Sequence, residues 1–344
     1  MARIGYWLTI PAFLFFASSE VSVGLEQTAR APMPPATLYA VGDIMYRTTS
    51  EGAVLVGRLM ERLLASDPVN SRAIVAGDIC NDDGQPECYE RLEQTPWGPL
   101  RPLLYTVPGN HDYEDARRNG GIPYYFHYML NAGDPERGWH AFNWGAWRVL
   151  GLNSEAMSRD AQHELSPLGI EQMVWMEREL RRYAKDRCVL TYYHRPMYSS
   201  GQFASPAWVG AIFRKSFQYG VDFYFVAHEH MFAALPPLTP FRDANGVAQV
   251  DWTYGIPGVI GGTGGAVLFP DPRSDPSIRP KDRRLKWSRD GEAALANTWG
   301  ITRIDLWPGR YRWTFIPVQP EPGRVYPSGS GQCHDNPPGY RESQ

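Results

Sequence analysis

A chain of 344 residues with 43% hydrophobic side chains can bury a large core, which excludes a tail or a linker. With 34 Lys and Arg against 37 Asp and Glu the net charge is −3, so there is no basic field for holding nucleic acid. No long polar or low-complexity linker divides the chain, and it reads as one domain with decorated loops.

The amino terminus carries Arg3, an apolar stretch from Tyr6 to Ala17, and then small residues at Ser18, Ser19, Ser22 and Gly24. That order is the one of a secretory signal, with an apolar part too short to span a bilayer, and residues 1–24 are set outside the fold on that reading. No later segment looks transmembrane. The expected location is therefore secreted or periplasmic, with no stable membrane insertion after cleavage. Export makes Cys80, Cys88, Cys188 and Cys333 candidates for disulfides; four cysteines allow three pairings, of which Cys80 with Cys88 would staple a single loop.

The first strand is predicted over Thr37 to Val41 and ends at Gly42-Asp43. Ser50 to Ala65 follows as a helix with Leu55, Leu59 and Leu63 on one face and Thr49 or Ser50 as cap. A strand over Ala73 to Ala76 closes at Gly77-Asp78, and a polar loop from Asn81 to Pro86 leads into a short helix. Leu103 to Val107 is a buried strand that Pro108-Gly109 turns sharply, presenting Asn110, His111 and Asp112 just past its end. Gly121 to Trp144 is crowded with aromatics, read as core and loop packing, with Tyr124, Tyr125, His127 and His140 as candidates to line a cleft.

Trp147 to Leu152 is another strand, and Pro167 to Lys185 a long amphipathic helix. Val189 to Tyr193 ends at His194-Arg195-Pro196; a helix over Ala207 to Phe217 precedes a strand that ends at His228-Glu229-His230. The glycines of Gly261 to Gly265 lack the Lys and the helix of a phosphate cradle and read as a tight turn between strands. Lys281 to Lys286 is a solvated basic loop, and Gly300 to Leu306 with Arg310 to Ile316 forms a hairpin about Pro308-Gly309. Strands alternate with helices and ligand-type side chains stand at the strand exits, which argues an α/β sheet whose carboxyl edge carries the site.

Carboxylates, an amide oxygen and imidazoles suit transition metals, whereas an all-oxygen set would suit calcium or magnesium. His228 and His230 would face opposite ways in a strand, but in a loop beyond it they can diverge toward two ions.

On these residues the chain resembles the calcineurin-type metallophosphoesterase family. Trp97-Gly98, Tyr198 to Gly201 and Gly262 to Gly265 make it most similar to the purple-acid-phosphatase-like branch. The resemblance runs from about Thr37 to Cys333 and implies an α/β fold, a four-layer αββα sandwich of two mixed sheets with a binuclear centre. On it, residues 36–320 are the metallophosphoesterase domain and 321–344 a C-terminal tail. Asp78 resembles the bridging carboxylate; Asn110, His194 and His228 resemble ligands of one ion, and Asp43 and His230 ligands of the other. His111 resembles the acid that protonates the leaving oxygen or steadies the pentacoordinate phosphorus, Asn110 also faces substrate, and Arg195 is a candidate phosphate contact that competes with pairing to a carboxylate.

The activity so implied is hydrolysis of phosphomonoesters, with diesters open, by attack of metal-bound hydroxide on phosphorus. The cofactors are two ions of iron, zinc or manganese roughly 3.5–4 Å apart, and the partner is a small phosphate ester. Specificity would rest on the loops Gly121 to Gly138 and Pro236 to Gly246. Two positions depart from the family: Met45 stands where it often has His, and Asn81 where the purple branch has Tyr. Tyr46 is the candidate to reach the first ion from the neighbouring loop. Those departures carry the competing expectation, a noncatalytic or metal-depleted phosphate- or metal-binding protein on the same fold.

Overall fold

The structure is a computed structural model that describes residues 34–46, 48, 51–120, 122–158, 165–199, 201, 203, 207–244, 246–269, 294–335 and 337. The N-terminal signal segment, the cap at Thr49 or Ser50 and the basic run Lys281 to Lys286 lie outside the described residues.

In β1 (Ala36–Val41) the pleat sends Leu38 and Ala40 to one apolar cluster and Tyr39 and Val41 to another. A strand buried on both faces in this way must sit between two layers. The first half of the chain continues with α1 (Glu51–Ser66), β2 (Ser71–Ala76), α2 (Pro86–Glu93), α3 (Trp97–Leu100), β3 (Leu104–Val107), α4 (Glu114–Asn119) and α5 (Tyr124–Tyr128). Then come β4 (His140–Trp144), β5 (Trp147–Gly151), α6 (Pro167–Tyr183), β6 (Cys188–Tyr193), α7 (Gly210–Gln218) and β7 (Phe223–Val226). The rest is strand: β8 (Phe232–Arg242), β9 (Ala248–Val250), β10 (Ile256–Gly261), β11 (Ala294–Leu295), β12 (Gly300–Trp307), β13 (Arg310–Pro317) and β14 (Ser328–Gln332).

The strands form two mixed sheets, ordered β14-β13-β12-β1-β2-β3 and β11-β8-β10-β7-β6-β5-β4, with β9 paired to β8. One core cluster fills the space between the sheets, built from Leu38, Ile74, Leu190, Phe225, Val259 and Phe315 among others. A second lies between the six-stranded sheet and α1 to α3 and α5, and a third between the other sheet and α6 and α7. The result is the expected αββα sandwich. Ser166 caps α6, its hydroxyl accepting from the N–H of Gly169, with Pro167 at the first helical position.

Register places the site. Parallel pairing sets Val41 beside Val75 and Ala76 beside Val107, so the chain leaves β1, β2 and β3 level with one another. In the second sheet Tyr193 pairs with Val226, and Ile260 pairs with Val226, so β6, β7 and β10 also end together.

The structure corrects several sequence expectations. Pro236 to Arg242, expected as a specificity loop, lies in β8, where a register shift between Ile256 and Gly258 of its partner accommodates the prolines. Residues set apart as a tail supply β14, which pairs with β13. The glycines after β10 do not form a tight turn between strands; they run beside β1, with Gly264 N–H donating to the Gly42 carbonyl at 2.9 Å and Ala266 N–H to that of Asp43 at 3.1 Å. The disulfides are Cys80–Cys88 and Cys188–Cys333. No helix among the described residues is long and apolar enough to cross a membrane.

Candidate metal centre

Four strand exits converge on the Nε2 atom of His194. Asp78 Oδ2 lies 3.1 Å from it, Asn110 Oδ1 3.2 Å and His228 Nδ1 3.2 Å. The possible ligand atoms of Asp78, His194 and His228 all fall within 4.8 Å of one another, and all three residues are buried. His194 Nδ1 is 2.8 Å from the Ala76 carbonyl, an acceptor that keeps the proton there and leaves Nε2 to face the cluster.

Next to this group stand Asp43 and His230. His230 Nε2 is 3.3 Å from Asp43 Oδ1, and its Nδ1–H donates to the Val267 carbonyl at 2.7 Å. Asp43 Oδ2 accepts from the backbone N–H of His228 at 2.8 Å, which ties the two groups together. Asp43 is fully buried, and the contact of its Oδ1 with His230 Nε2 falls short of hydrogen-bond geometry although, against burial, the carboxylate raises the pKa of that imidazole. A buried carboxylate oxygen left without a well-formed hydrogen bond is costly unless a cation completes it. Together with the carboxylate, amide and imidazole donors around His194, that oxygen is the observation by which these residues fit a pair of metal ions.

The backbone is bent to make this possible. Asp43, Asp78 and His228 have φ of 60°, 50° and 72°, left-handed values that cost non-glycine residues on the order of 1–3 kcal/mol each. Gly109 is required by close approach, since a Cβ there would stand 2.1 Å from Asp78 Oδ1; at Gly262 it would stand 2.6 Å from Asp43 Oδ2.

Charge follows the contacts. Burial pushes the Asp78 carboxyl up, but the imidazole of His194 beside it prevails and holds it well below the carboxylate range. Burial likewise opposes a charge on His194, and the Asp78 carboxylate lifts it to about 9. His228 is held well below the usual value by burial, then by His194 and Arg195.

His111 donates its N–H to Asp78 Oδ1 at 2.9 Å, and its ring Nδ1 lies 2.8 Å from Glu114 Oε1 and 3.2 Å from the Asp82 carbonyl. Arg195 is paired with a carboxylate, its Nε–H donating to Glu155 Oε1 at 2.7 Å, while its Nη1 lies 3.0 Å from His228 Nε2. The Tyr46 and His230 rings meet edge to face with centroids 6.2 Å apart, and burial, then Asp43, Asp78 and Asp82, push the Tyr46 hydroxyl up to about 12. Met45 is spent on packing in the core beneath the six-stranded sheet. Asn81 is buried, its amide N–H donating to the Asp78 carbonyl at 3.0 Å and its Oδ1 left without a partner.

Of the aromatic candidates for a cleft, Tyr125 is buried against Thr106 and His140 is bonded to Tyr192, so both are structural; Tyr124 packs on Tyr89, and His127 is exposed beside Tyr124. Asp112, given no role by the sequence, is a buried organiser. It accepts from Ile79 N–H at 3.1 Å, Gly109 N–H at 2.9 Å and the Tyr89 hydroxyl at 2.8 Å, and burial, then Asp78, pushes it up to about 7. Glu114 and Glu155 were also passed over. Glu155 had a readable signal, because Asn153-Ser154-Glu155 follows the exit of β5 as the other polar groups follow theirs.

A family model described as calcineurin-like phosphoesterase matches residues 36–232, more than half of the chain. The chain belongs to the calcineurin-like phosphoesterase family. Among curated proteins it is similar to acid phosphatase type 7 of Danio rerio, 25% identical over 228 residues that cover 58% of this chain and 47% of that one. It therefore spans about half the length of that relative. The purple acid phosphatase PPD1 from Lupinus luteus seeds shares the fold with a TM-score of 0.63 at 16% identity, over 87% of this chain and 54% of the other. A dimetal phosphatase from Danio rerio gives 0.54 at 13% identity, over 88% and 100%. Membership of the calcineurin-like family implies a dinuclear metal centre, and the two solved structures add the likeness of fold.

Proposed function

We propose that the protein is a metal-dependent phosphatase that hydrolyses phosphomonoesters at this centre, in a secreted or periplasmic setting. The observation that carries the reading is the convergence of Asp78, Asn110 and His228 on His194 beside a buried Asp43–His230 pair whose carboxylate oxygen lacks a well-formed hydrogen bond. Asp78 would bridge two ions, with Asn110, His194 and His228 on one side and Asp43, His230 and Tyr46 on the other. When bound, a pair of ions supplies Lewis acidity and charge neutralisation for displacement at phosphorus.

The chain's own groups do the rest. Glu114 at Nδ1 fixes the ring of His111, so that Nε2 is the edge left to carry a proton to the leaving oxygen. The neutral amide of Asn110 adds no negative charge beside an anionic ester. Arg195 supplies a guanidinium to the substrate's phosphate or to an anionic group beside it. Two disulfides fit an oxidising compartment, and residues 1–24 would be removed on export, leaving a domain that begins near residue 36 and runs through β14 to Cys333.

A second reading, a metal-depleted binding protein, is favoured by one observation: neither Met45 nor Asn81 adds a ligand side chain of the expected type to the Asp43 side. Metal analysis with hydrolysis of a chromogenic phosphomonoester and diester separates the two. Two ions per chain with turnover of the monoester is the expected result; two ions with turnover of neither ester overturns the enzyme.

A further inference from the structure

Beside the centre, one carboxylate holds two arginines from separate parts of the chain. Glu155 Oε1 accepts from Arg195 Nε–H at 2.7 Å, and Glu155 Oε2 lies 3.2 Å from Arg117 Nη2. Each arginine also reaches a candidate ligand: Arg117 Nη1–H donates to the Asn110 carbonyl at 3.1 Å, and Arg195 Nη1 stands 3.0 Å from His228 Nε2. The backbone under Glu155 is pinned, with Asn153 Oδ1 accepting from Glu155 N–H at 3.1 Å and from Ala156 N–H at 3.2 Å, while Ser154 Oγ accepts from Arg195 N–H at 3.2 Å.

Exposure orders the three side chains. Glu155 is 6% exposed, Arg195 17% and Arg117 52%, so the carboxylate lies underneath and the guanidiniums face the solvent side. Two positive charges on one buried negative charge leave a net positive rim next to the place where an ester would react. A carboxylate that spans two guanidiniums fixes their planes, so little rotamer freedom remains to be lost when an anion binds.

Resting on the phosphatase reading, we propose that Arg117 and Arg195, positioned by Glu155, form a clamp for a second anionic group, and that the preferred substrates are phosphomonoesters carrying a carboxylate or another phosphate close to the scissile one. The centre itself handles the reacting phosphoryl group. The clamp takes the neighbouring charge, and Glu155 acts through the arginines without touching substrate.

The test compares phosphoglycolate with ethyl phosphate, esters of similar size that differ in one carboxylate. On metal-loaded protein, kcat/KM for phosphoglycolate is expected to exceed that for ethyl phosphate by about tenfold, mostly through KM. Arg117→Ala and Glu155→Gln should bring the ratio toward one, and Arg117→Lys should restore part of it, with metal content and circular dichroism unchanged. Calorimetric binding of the same pair reads the clamp independently of turnover. Binding that prefers phosphoglycolate with no hydrolysis of either ester sinks the enzyme and keeps the clamp. No preference in either measurement, or a preference that survives Arg117→Ala, overturns the clamp alone.

Discussion

Around His194, three candidate ligands from three other strand exits crowd one imidazole nitrogen to 3.2 Å or less, whereas Asp43 Oδ1 has His230 Nε2 at 3.3 Å. The difference lies in what positions each side chain. Asp78, Asn110, His194 and His228 leave aligned parallel strands, so the sheets set their spacing. His230 lies beyond β7, held by a carbonyl from the glycine-rich stretch after β10, and Tyr46 belongs to the loop after β1. A centre with one half carried wholly at strand exits and the other resting on Asp43 at the exit of β1 together with loop-borne His230 and Tyr46 should bind its two ions with unequal strength.

The heaviest blow to that contrast is Asp78→Ala, which removes the group shared by both halves. Metal content should fall to near zero and kcat/KM by more than about 1000-fold, read by elemental analysis beside steady-state kinetics; retention of either ion would show that the halves do not depend on a common bridge. Next come the paired variants His194→Ala and His230→Ala. The first should strip the tighter ion, and the second should leave about one ion per chain with activity down about 100-fold. Wild-type protein dialysed against a weak chelator should lose the Asp43-side ion first, and equal loss from both sides would abolish the distinction.

pH sharpens it further. In the metal-free protein His194 is lifted to about 9 by Asp78, so a proton competes with metal at Nε2 below that value, and affinity should weaken by up to about tenfold per unit as pH falls. A raised histidine stabilises the metal-free fold fully below its unfolded value near 6.5 and loses that contribution as pH rises through about 9. Metal-free Tm should thus drop across that window while metal affinity climbs, and His194→Gln should flatten both. The smallest effect concerns Tyr46. If it completes the Asp43 side, a ferric form absorbs visible light through tyrosinate and Tyr46→Phe loses the band with the fold unchanged; a band that persists removes Tyr46 from the centre.

Much of this was legible in the chain. Short apolar runs ending in Gly42-Asp43, Gly77-Asp78 and Gly109-Asn110 fixed both the strands and their exits, because a buried parallel strand is apolar throughout and must stop where polar groups begin. β8 was hidden by Pro236, Pro237 and Pro240, and β14 by its run of Ser and Gly, since each is made a strand by its neighbour and not by its own residues. Asp112 and Glu155 were passed over for a related reason, although the place of Glu155 past the exit of β5 was readable. Their partners, Ile79 and Tyr89 for one and Arg117 and Arg195 for the other, come from elsewhere in the chain, and nothing local declares such a meeting.

Cys188 opens β6 in one sheet, and Cys333 follows β14 on the border of the other, so their bond laces the two sheets across a span of 145 residues. Chain entropy assigns such a long closure about 5 kcal/mol, against about 2.5 kcal/mol for the short loop of Cys80 and Cys88. Thiol reductants in a purification buffer would then loosen the border of the sandwich at the end of β6 opposite to the exit that carries His194. Heat resistance would be lost through a seam that an activity measurement at room temperature never inspects.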